Sequence, residues 1–523
     1  MKYKLAPLVT VALLITTAFT ARSQEISVWQ TKFDHGSKRE KEIDIDSYGL
    51  DQDSKYVLLR KLDNIKFTDK TKKSKRAIVI NDDITYQTIQ GLGASMTDSS
   101  AWLLSQLQDK NPELYHYVMK RLFSEDGAGF SMLRRPIGSS DYTATAGSYT
   151  YADKKSEDLA SFSIEHDKKY IIPMLKEAQA INPKIKIIGS PWSAPGWMKT
   201  NNDIGGITAS QKKAGKSNRL KPEYFDLYAD YFVNYIKDYQ AAGVTVDAIT
   251  LQNEPQLDAA DYPSMRMTVD DQIKLVRALG PKLENSKLNT EIFVHDHNWK
   301  LHPNDQKVIG GDAKLDPYQL VKKIYNDPVA GKYVTGSAWH CYYGSPKDMK
   351  ELYARLTSEF PSKKIYTTEA SGWREWSKKG WKGDSTWGIK NNWLATIAAG
   401  GSVSLQWNLV LDHKHGPTTR HDSLGVGLVT VNSDTWQSVK FEREFYAMAQ
   451  VSKAVRPGSL RIESKVKNGG GNIPVLAVKR PDGSIGLVAA NLNKEDRIFD
   501  VINGDKLFKV TLPSRSISTF IWK

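Results

Sequence analysis

Eight short runs rich in β-branched and aromatic residues recur through the middle of the chain, at 85–91, 130–138, 185–192, 246–254, 291–298, 334–343, 364–369 and 402–411. Most of the gaps carry apolar residues three to four positions apart, as at 166–181, 223–241, 269–283, 318–326, 347–356 and 389–399. Short strands alternating with amphipathic helices build a parallel sheet, and eight such strands close it into a barrel. The expected fold class is therefore α/β, a (β/α)8 TIM barrel. The stripe Tyr224, Phe225, Tyr228, Tyr231, Phe232, Tyr235 and Ile236 has helical spacing, so it is read as a surface packed on the barrel and not as a ligand platform.

The two ends of the chain have a different texture. After a last helix at about 441–454 and Pro457, strand-like segments at 475–479, 485–491 and 507–512 are separated by Gly469-Gly470-Gly471, Arg480-Pro481-Asp482-Gly483 and Asn503-Gly504-Asp505. Alternation broken by glycine turns signals antiparallel β structure. The segment from Ile26 to about Lys75 is also strand-like and is expected to pair into the same sheet. The organisation expected is a leader at 1–23, an N-terminal contribution to a side β-domain at 24–80, the catalytic barrel at 81–455, and a C-terminal β-sandwich at 456–523.

The leader reads as a secretory signal, with Lys2 and Lys4 before an apolar run from Leu5 to Ala21 and small residues around Ala21-Arg22-Ser23 for cleavage. No other segment approaches the roughly 20 apolar residues of a membrane span, so none is expected. Cys341 is the only cysteine, which excludes an intramolecular disulfide and suggests a periplasmic or secreted bacterial protein that relies on core size. The formal charge of +14 falls to +11 once Lys2, Lys4 and Arg22 of the leader are removed. That charge is dispersed, and the run from Lys70 to Arg76 between strand-like segments reads as a solvated turn, so no nucleic-acid partner is expected. With 14 Trp and 24 Tyr the chain is well supplied with flat apolar faces, which stack on sugar C–H faces.

Two glutamates stand where strand-like runs end, Glu254 in Leu251-Gln252-Asn253-Glu254-Pro255 and Glu369 in Tyr366-Thr367-Thr368-Glu369-Ala370. A carboxylate at the C-terminal lip of a barrel strand is rigidly held and points to where barrel enzymes do chemistry. Two of them suggest glycoside hydrolysis, which needs one protonated carboxyl and one ionised carboxylate, and hence pKa values driven apart. Asn253 precedes Glu254 and falls on the other side of a regular strand, so its presence in a site requires a local bulge or twist.

The motifs resemble glycoside hydrolase family 30, the family of glucosylceramidases and microbial β-1,6-glucanases. The resemblance is carried by Gln90-Gly91-Leu92-Gly93-Ala94-Ser95-Met96-Thr97-Asp98, Arg134-Arg135-Pro136-Ile137-Gly138-Ser139-Ser140-Asp141-Tyr142, Ser190-Pro191-Trp192-Ser193-Ala194-Pro195-Gly196-Trp197-Met198-Lys199-Thr200, Asn253-Glu254-Pro255 and Thr368-Glu369-Ala370. It implies a retaining mechanism with Glu254 as general acid/base and Glu369 as nucleophile. It further implies that Asn253 bonds the sugar 2-hydroxyl, that Arg134 keeps Glu369 ionised, and that Trp192 and Asp141 grip the sugar by stacking and by hydroxyl hydrogen bonds. His340 and Tyr342 would flank the nucleophile, with Tyr342 bonded to Glu369. Trp407 and Asn408 would close the pocket, and Asp296, His297 and Asn298 would line it. Where the glucosylceramidase pattern has Trp, this chain has Cys341, an inert thiol that would leave the leaving-group side roomier. Trp197 is read as structural, and Trp299, Trp373, Trp376, Trp381 and Trp387 as a rim around the leaving-group subsites.

A metal reading would require His295-Asp296-His297 and His413-Lys414-His415 to converge. No cysteine framework or carboxylate triad accompanies them and the resembling family uses none, so no metal and no cofactor is expected. The stretch Tyr262-Pro263-Ser264-Met265 and the His-Cys-Tyr at His340 resemble the β-1,6-glucanase branch. The expected partner is a β-glucan polysaccharide or oligosaccharide, cut internally by a monomer. The alternatives are a β-glucosidase or glucosylceramidase of the same family and, outside the class, a non-catalytic carbohydrate-binding protein.

Overall fold

The computed structural model describes residues 25–33, 58–68, 75–144, 147–303, 314–372, 384–420, 425–469 and 471–523. The leader at 1–23, most of the basic run, and Trp373, Trp376 and Trp381 lie outside the described residues.

Three strands come first: β1 (Glu25–Lys32), β2 (Arg60–Lys66) and β3 (Ala77–Thr88). The barrel follows as β4 (Gly91–Ser95), β5 (Met132–Ile137), β6 (Lys186–Pro191), β7 (Ala248–Thr250), β8 (Glu291–Asn298), β9 (Val334–His340), β10 (Lys364–Glu369) and β11 (Val403–Asn408). Neighbours pair in parallel and β11 returns to β4, which closes the barrel. A small sheet of β12 (Val410–Asp412), β13 (Val429–Val431) and β14 (Val439–Phe441) caps the end of β11. The chain finishes with β15 (Leu460–Lys467), β16 (Val475–Lys479), β17 (Ile485–Asn491), β18 (Arg497–Asn503), β19 (Lys506–Leu512) and β20 (Ser516–Trp522).

The run at 85–91 is not the first barrel strand. Residues 85–88 end β3, which pairs antiparallel with β15 in the side sheet, and the barrel begins at Gly91. The reason is close packing. A Cβ on Gly93 would lie 1.8 Å from the Met132 carbonyl oxygen, so β4 approaches β5 too closely for the β-branched residues that mark a strand by composition.

Inside the barrel, Met132, Ile188, Ala248, Phe293, Ala338, Tyr366, Val403 and Leu405 form an apolar plug, with Phe293 and Tyr366 stacked at 4.0 Å. This plug is the dry floor on which the polar residues of the strand ends rest. Outside, two of the helices begin on reciprocal capping boxes, Thr268 with Asp271 for Val269–Asn285 and Ser345 with Asp348 for Pro346–Glu359. The aromatic stripe of Phe225–Ala241 buries Tyr228, Tyr231, Phe232, Tyr235 and Ile236 against the barrel.

The side sheet runs β19-β18-β3-β15-β16-β17-β20-β1-β2, built from both ends of the chain. Its strands enclose a second core in which Phe508 meets Phe520 at 6.0 Å and Trp522 at 5.2 Å. The helix Arg443–Ala454 is the seam with the barrel. Gln450 on it donates to Thr31 at 2.9 Å and accepts from the Thr519 hydroxyl at 2.7 Å, tying β1 and β20 to the same side chain.

Gly93→Ala is expected to destabilise the fold by about 3 kcal/mol or more, because the clash is with backbone that cannot move aside. Thermal melting compared with Gly483→Ala, at a turn where the added Cβ meets nothing within 4 Å and only the φ of 78° is strained, checks this. Equal melting temperatures would refute the close-packing argument.

Candidate active site

At the C-terminal lip of the barrel lies a cavity of about 320 Å³, walled by residues from the ends of seven strands and the loops beyond. Asp141 and Tyr142 follow β5, Trp192 follows β6, and Asn253, Glu254 and Tyr262 follow β7. His297 and Asn298 end β8, Tyr342 follows β9, Glu369 ends β10, and Trp407 lies on β11 with Arg420 beyond it.

Below this wall a single carboxylate organises the polar side chains. Asp296 accepts from Arg134 at 2.9 Å, Ser190 at 2.8 Å, Thr250 at 2.6 Å and Thr368 at 2.6 Å, and contacts His340 Nε2 at 3.1 Å. These partners come from β5, β6, β7, β10 and β9 in turn. Asp296 reaches them through a bulge in β8, where the register with β9 slips between His295 and His297 and both His295 (φ 76°) and Asp296 (φ 51°) adopt the left-handed conformation. Burial alone would raise its pKa, but Arg134 and His340 hold Asp296 well below the usual carboxylate range.

The two cations on Asp296 each reach one glutamate. Arg134 donates through its second terminal nitrogen to Glu369 Oε2 and also bonds Asn253 Oδ1 at 2.7 Å, while Tyr342 donates its hydroxyl to Glu369 Oε1 at 2.9 Å. His340 Nδ1 stands 3.2 Å from Glu254 Oε1, and His297 Nδ1 stands 3.6 Å from the same oxygen. Glu254 is presented by a left-handed residue of its own (φ 46°) just beyond a strand that ends at Thr250. This supplies the irregularity that puts Asn253 and Glu254 on the same side.

The pKa order that an acid/base Glu254 and a nucleophile Glu369 imply is reversed. Burial raises both glutamates, but hydrogen bonds and charge from His297 and His340 bring Glu254 below the usual range. Glu369 is raised by burial and by the charge of Glu254, against His340, Arg134 and the Tyr342 hydrogen bond. Of the two imidazoles on Glu254, His297 and His340, the second is itself strongly shifted. Burial opposes its charge, yet Glu369, Asp296 and Glu254 push its pKa up to about 9. His340 Nδ1 is 3.2 Å from Glu254 Oε1, close enough for the two to share a proton. Asp141 is pushed up to about 7 by burial and by Glu369, opposed by Arg420, so it both donates and accepts near neutrality.

Five of the expected binding residues line the cavity: Asp141, Trp192, Asn253, Tyr342 and Trp407. Trp192 and Trp407 stack on each other at 4.9 Å with the Arg134 guanidinium 4.8 Å from the Trp192 ring. Three do not reach the wall. Arg134 and His340 are fully buried beneath it on Asp296. Asn408 is fully buried behind the wall, past a register slip between β11 and β4, and accepts from Thr97 at 3.0 Å. Asp296 likewise lies under the cleft, leaving His297 and Asn298 to line it. Cys341 is packed in the outer core with its sulfur 4.0 Å from the Glu369 carbonyl, so it gives the cleft no extra room. Trp197 donates to Ala152 O at 2.7 Å and is structural, and Trp299 is buried away from the cavity. His413 pairs with Asp434 at 3.2 Å and His295 turns its Nε2 to the Asn298 carbonyl, so the two His-X-His stretches do not converge. Tyr142, Arg420 and His302 are wall residues without a strand-end signal in the sequence. Arg420 lies over Tyr262 at 5.4 Å, in a loop that carries no periodicity.

Residues 89–455 match the glycosyl hydrolase family 30 TIM-barrel domain, and residues 458–520 match the beta sandwich domain of that family. The endo-1,6-beta-D-glucanase neg1 of Aspergillus fumigatus is 31% identical over 457 residues, 83% of this chain and 85% of that protein. The endo-1,6-beta-D-glucanase of Neurospora crassa is 32% identical over 417 residues, 77% of this chain and 79% of its own. The lysosomal acid glucosylceramidase of Mus musculus is 26% identical over 458 residues, 85% of this chain and 83% of its own. The solved structure of the endo-beta1,6-glucanase BT3312 superposes with a TM-score of 0.80 at 27% identity, covering 95% of this chain and 99% of that one.

His340 generates a pH signature. Its pKa is raised from 6.5 to about 9 in the fold, so the stability it contributes is complete below the lower value and is lost as pH rises through the upper one. That contribution is about 3 kcal/mol. In thermal melts from pH 6 to 10, His340→Gln is expected to lose this decline relative to the unsubstituted chain. Parallel curves would show that His340 is not charged in the fold.

Proposed function

The chain belongs to glycoside hydrolase family 30, and from the geometry of its cleft we propose that it is a retaining endo-β-1,6-glucanase. The observation that carries the mechanism is the unequal partnering of the two glutamates. Glu369 receives a guanidinium and a phenol, donors that serve an ionised carboxylate, so it is the nucleophile. Glu254 faces imidazoles, which unlike a guanidinium can give up and take back a proton, so it is the acid/base.

In the first step Glu369 attacks the anomeric carbon while Glu254 delivers its proton to the departing oxygen. A covalent glycosyl ester on Glu369 results. In the second step Glu254 takes a proton from water, which attacks the same carbon and frees Glu369. Asn253, whose Oδ1 is held by Arg134, is left with its Nδ2 to bond the sugar 2-hydroxyl, a contact that strengthens as oxocarbenium character develops. Trp192, Trp407 and Asp141 hold the ring. The linkage is supported by the greater identity to endo-1,6-glucanases than to the glucosylceramidase, and by the Tyr262 loop on the cavity wall. That loop is fastened by Lys199, whose buried ammonium donates to the Ile204, Gly205 and Ser264 carbonyls at 2.8–2.9 Å. One chain supplies the whole site, which supports action as a monomer. The positively flanked apolar leader at 1–23 supports export to the periplasm or beyond.

Product analysis tests the linkage: the purified chain is incubated with linear β-1,6-glucan, β-1,3-glucan, xylan and an aryl β-glucoside. The expected outcome is a ladder of β-1,6 oligosaccharides from the first alone. Glucose from the aryl glucoside with no attack on polymer would move the chain to the glucosidase and glucosylceramidase reading. Glu369→Gln is expected to abolish turnover on every substrate. Glu254→Gln is expected to slow polymer hydrolysis by about 10²–10⁴-fold. It should spare the first step on an aryl glycoside of a β-1,6-linked glucan oligosaccharide, whose leaving group needs no proton, seen as a burst of phenol. Equal losses on both substrates in Glu254→Gln would overturn the acid/base assignment.

A further inference from the structure

The side chains that adjust the proton on Glu254 have a second chemical property. Glu254 Oε1, His297 Nδ1 and His340 Nδ1 lie within 4.8 Å of one another, a set of one oxygen and two nitrogens. A tetrahedral cation with bonds of about 2.0–2.1 Å spaces its ligand atoms about 3.3–3.4 Å apart. The two separations from the glutamate oxygen, 3.2 and 3.6 Å, bracket that edge. His340 has the outer partner that metal-bound imidazoles have: its other nitrogen is 3.1 Å from Asp296, which fixes the ring with Nδ1 turned to Glu254. Asp296 is itself held by Arg134, Ser190, Thr250 and Thr368, so this support is rigid. Glu254 and His297 line the cavity, which leaves a fourth position open to water.

We propose that Glu254, His297 and His340 form a binding site for a first-row transition cation such as Zn²⁺, and that its occupancy reversibly blocks hydrolysis. The donor set selects the class, since two imidazoles and a carboxylate suit zinc, cobalt, nickel or copper, whereas Mg²⁺ and Ca²⁺ require oxygen shells. Binding replaces the proton shared by Glu254 and His340, which leaves to solvent, and commits the oxygen that the leaving group must reach. The inhibition rests on Glu254 being the acid/base; the binding does not.

The test is a titration of the metal-free full-length chain with Co²⁺, read by the visible absorption of four-coordinate cobalt, followed by displacement with Zn²⁺. One cation per chain is expected. Glu254→Gln and His297→Asn should each weaken binding by at least about 100-fold, beyond the 10–100-fold typical of losing only an outer partner. His413→Asn, at the surface pair with Asp434, should leave it unchanged. Hydrolysis of β-1,6-glucan should fall in proportion to the bound fraction, return with a chelator, and be indifferent to Mg²⁺. Binding that survives both site variants, or is lost in His413→Asn, would overturn the site. Binding at the site without loss of hydrolysis would overturn the inhibition. A chain that binds cobalt as expected but cleaves no glucan when metal-free would instead refute the proposed function and leave the cation site standing.

Discussion

The catalytic end of this barrel depends on the burial of one negative charge. Removing a carboxylate from water costs several kcal/mol unless donors replace the lost hydration. Asp296 is given such donors by five strands, so its ionisation and the closure of the barrel support each other. Two of those partners are cations, and each extends outward to a glutamate. Arg134 joins Asp296 to Glu369, and His340 joins it to Glu254. Charges thus alternate in depth, negative at the base, positive in the middle and negative at the cavity. The two cations differ in one respect that matters. A guanidinium keeps its proton at any working pH, whereas an imidazole can release one. The two glutamates therefore differ first in the donor one layer below them, a fixed cation under Glu369 and a titratable one under Glu254.

The barrel was legible because its strands alternate with helices of clear period, and both glutamates were legible because each ends such a strand. What was hidden has a common physical origin. Composition marks a strand by its β-branched residues, so β4, built as Gly-Leu-Gly-Ala-Ser to admit β5, was passed over for the end of β3. Strict alternation assigns side chains to faces, so Asn253 beside Glu254 required an irregularity, which is there at Glu254, whereas nothing in the composition marks the left-handed His295 and Asp296 that turn Asp296 beneath the cleft. The motifs identify Arg134, His340 and Asn408 as belonging to the site but carry no information on depth. The structure places them behind the wall, two of them against Asp296 and one against Thr97. Wall residues from loops, such as Arg420 and His302, have no periodic setting in which to be noticed.

The side sheet adds a constraint of another kind. β1 lies between β20 and β2, and β3 lies between β18 and β15, so strands from the beginning of the chain are flanked by strands from its end. Gln30 and Ser518, which touch across that sheet, are 488 residues apart in sequence. A ribosome delivers the first of these long before the second. The N-terminal strands must therefore wait with an unpaired edge until β20, Ser516–Trp522, has emerged, because that strand fills the place between β17 and β1. The order of translation thus makes the arrival of β20 a checkpoint. Before it, the chain already holds the whole barrel and both glutamates, yet exposes the facing edges of β1 and β17 to any partner that offers a β-strand.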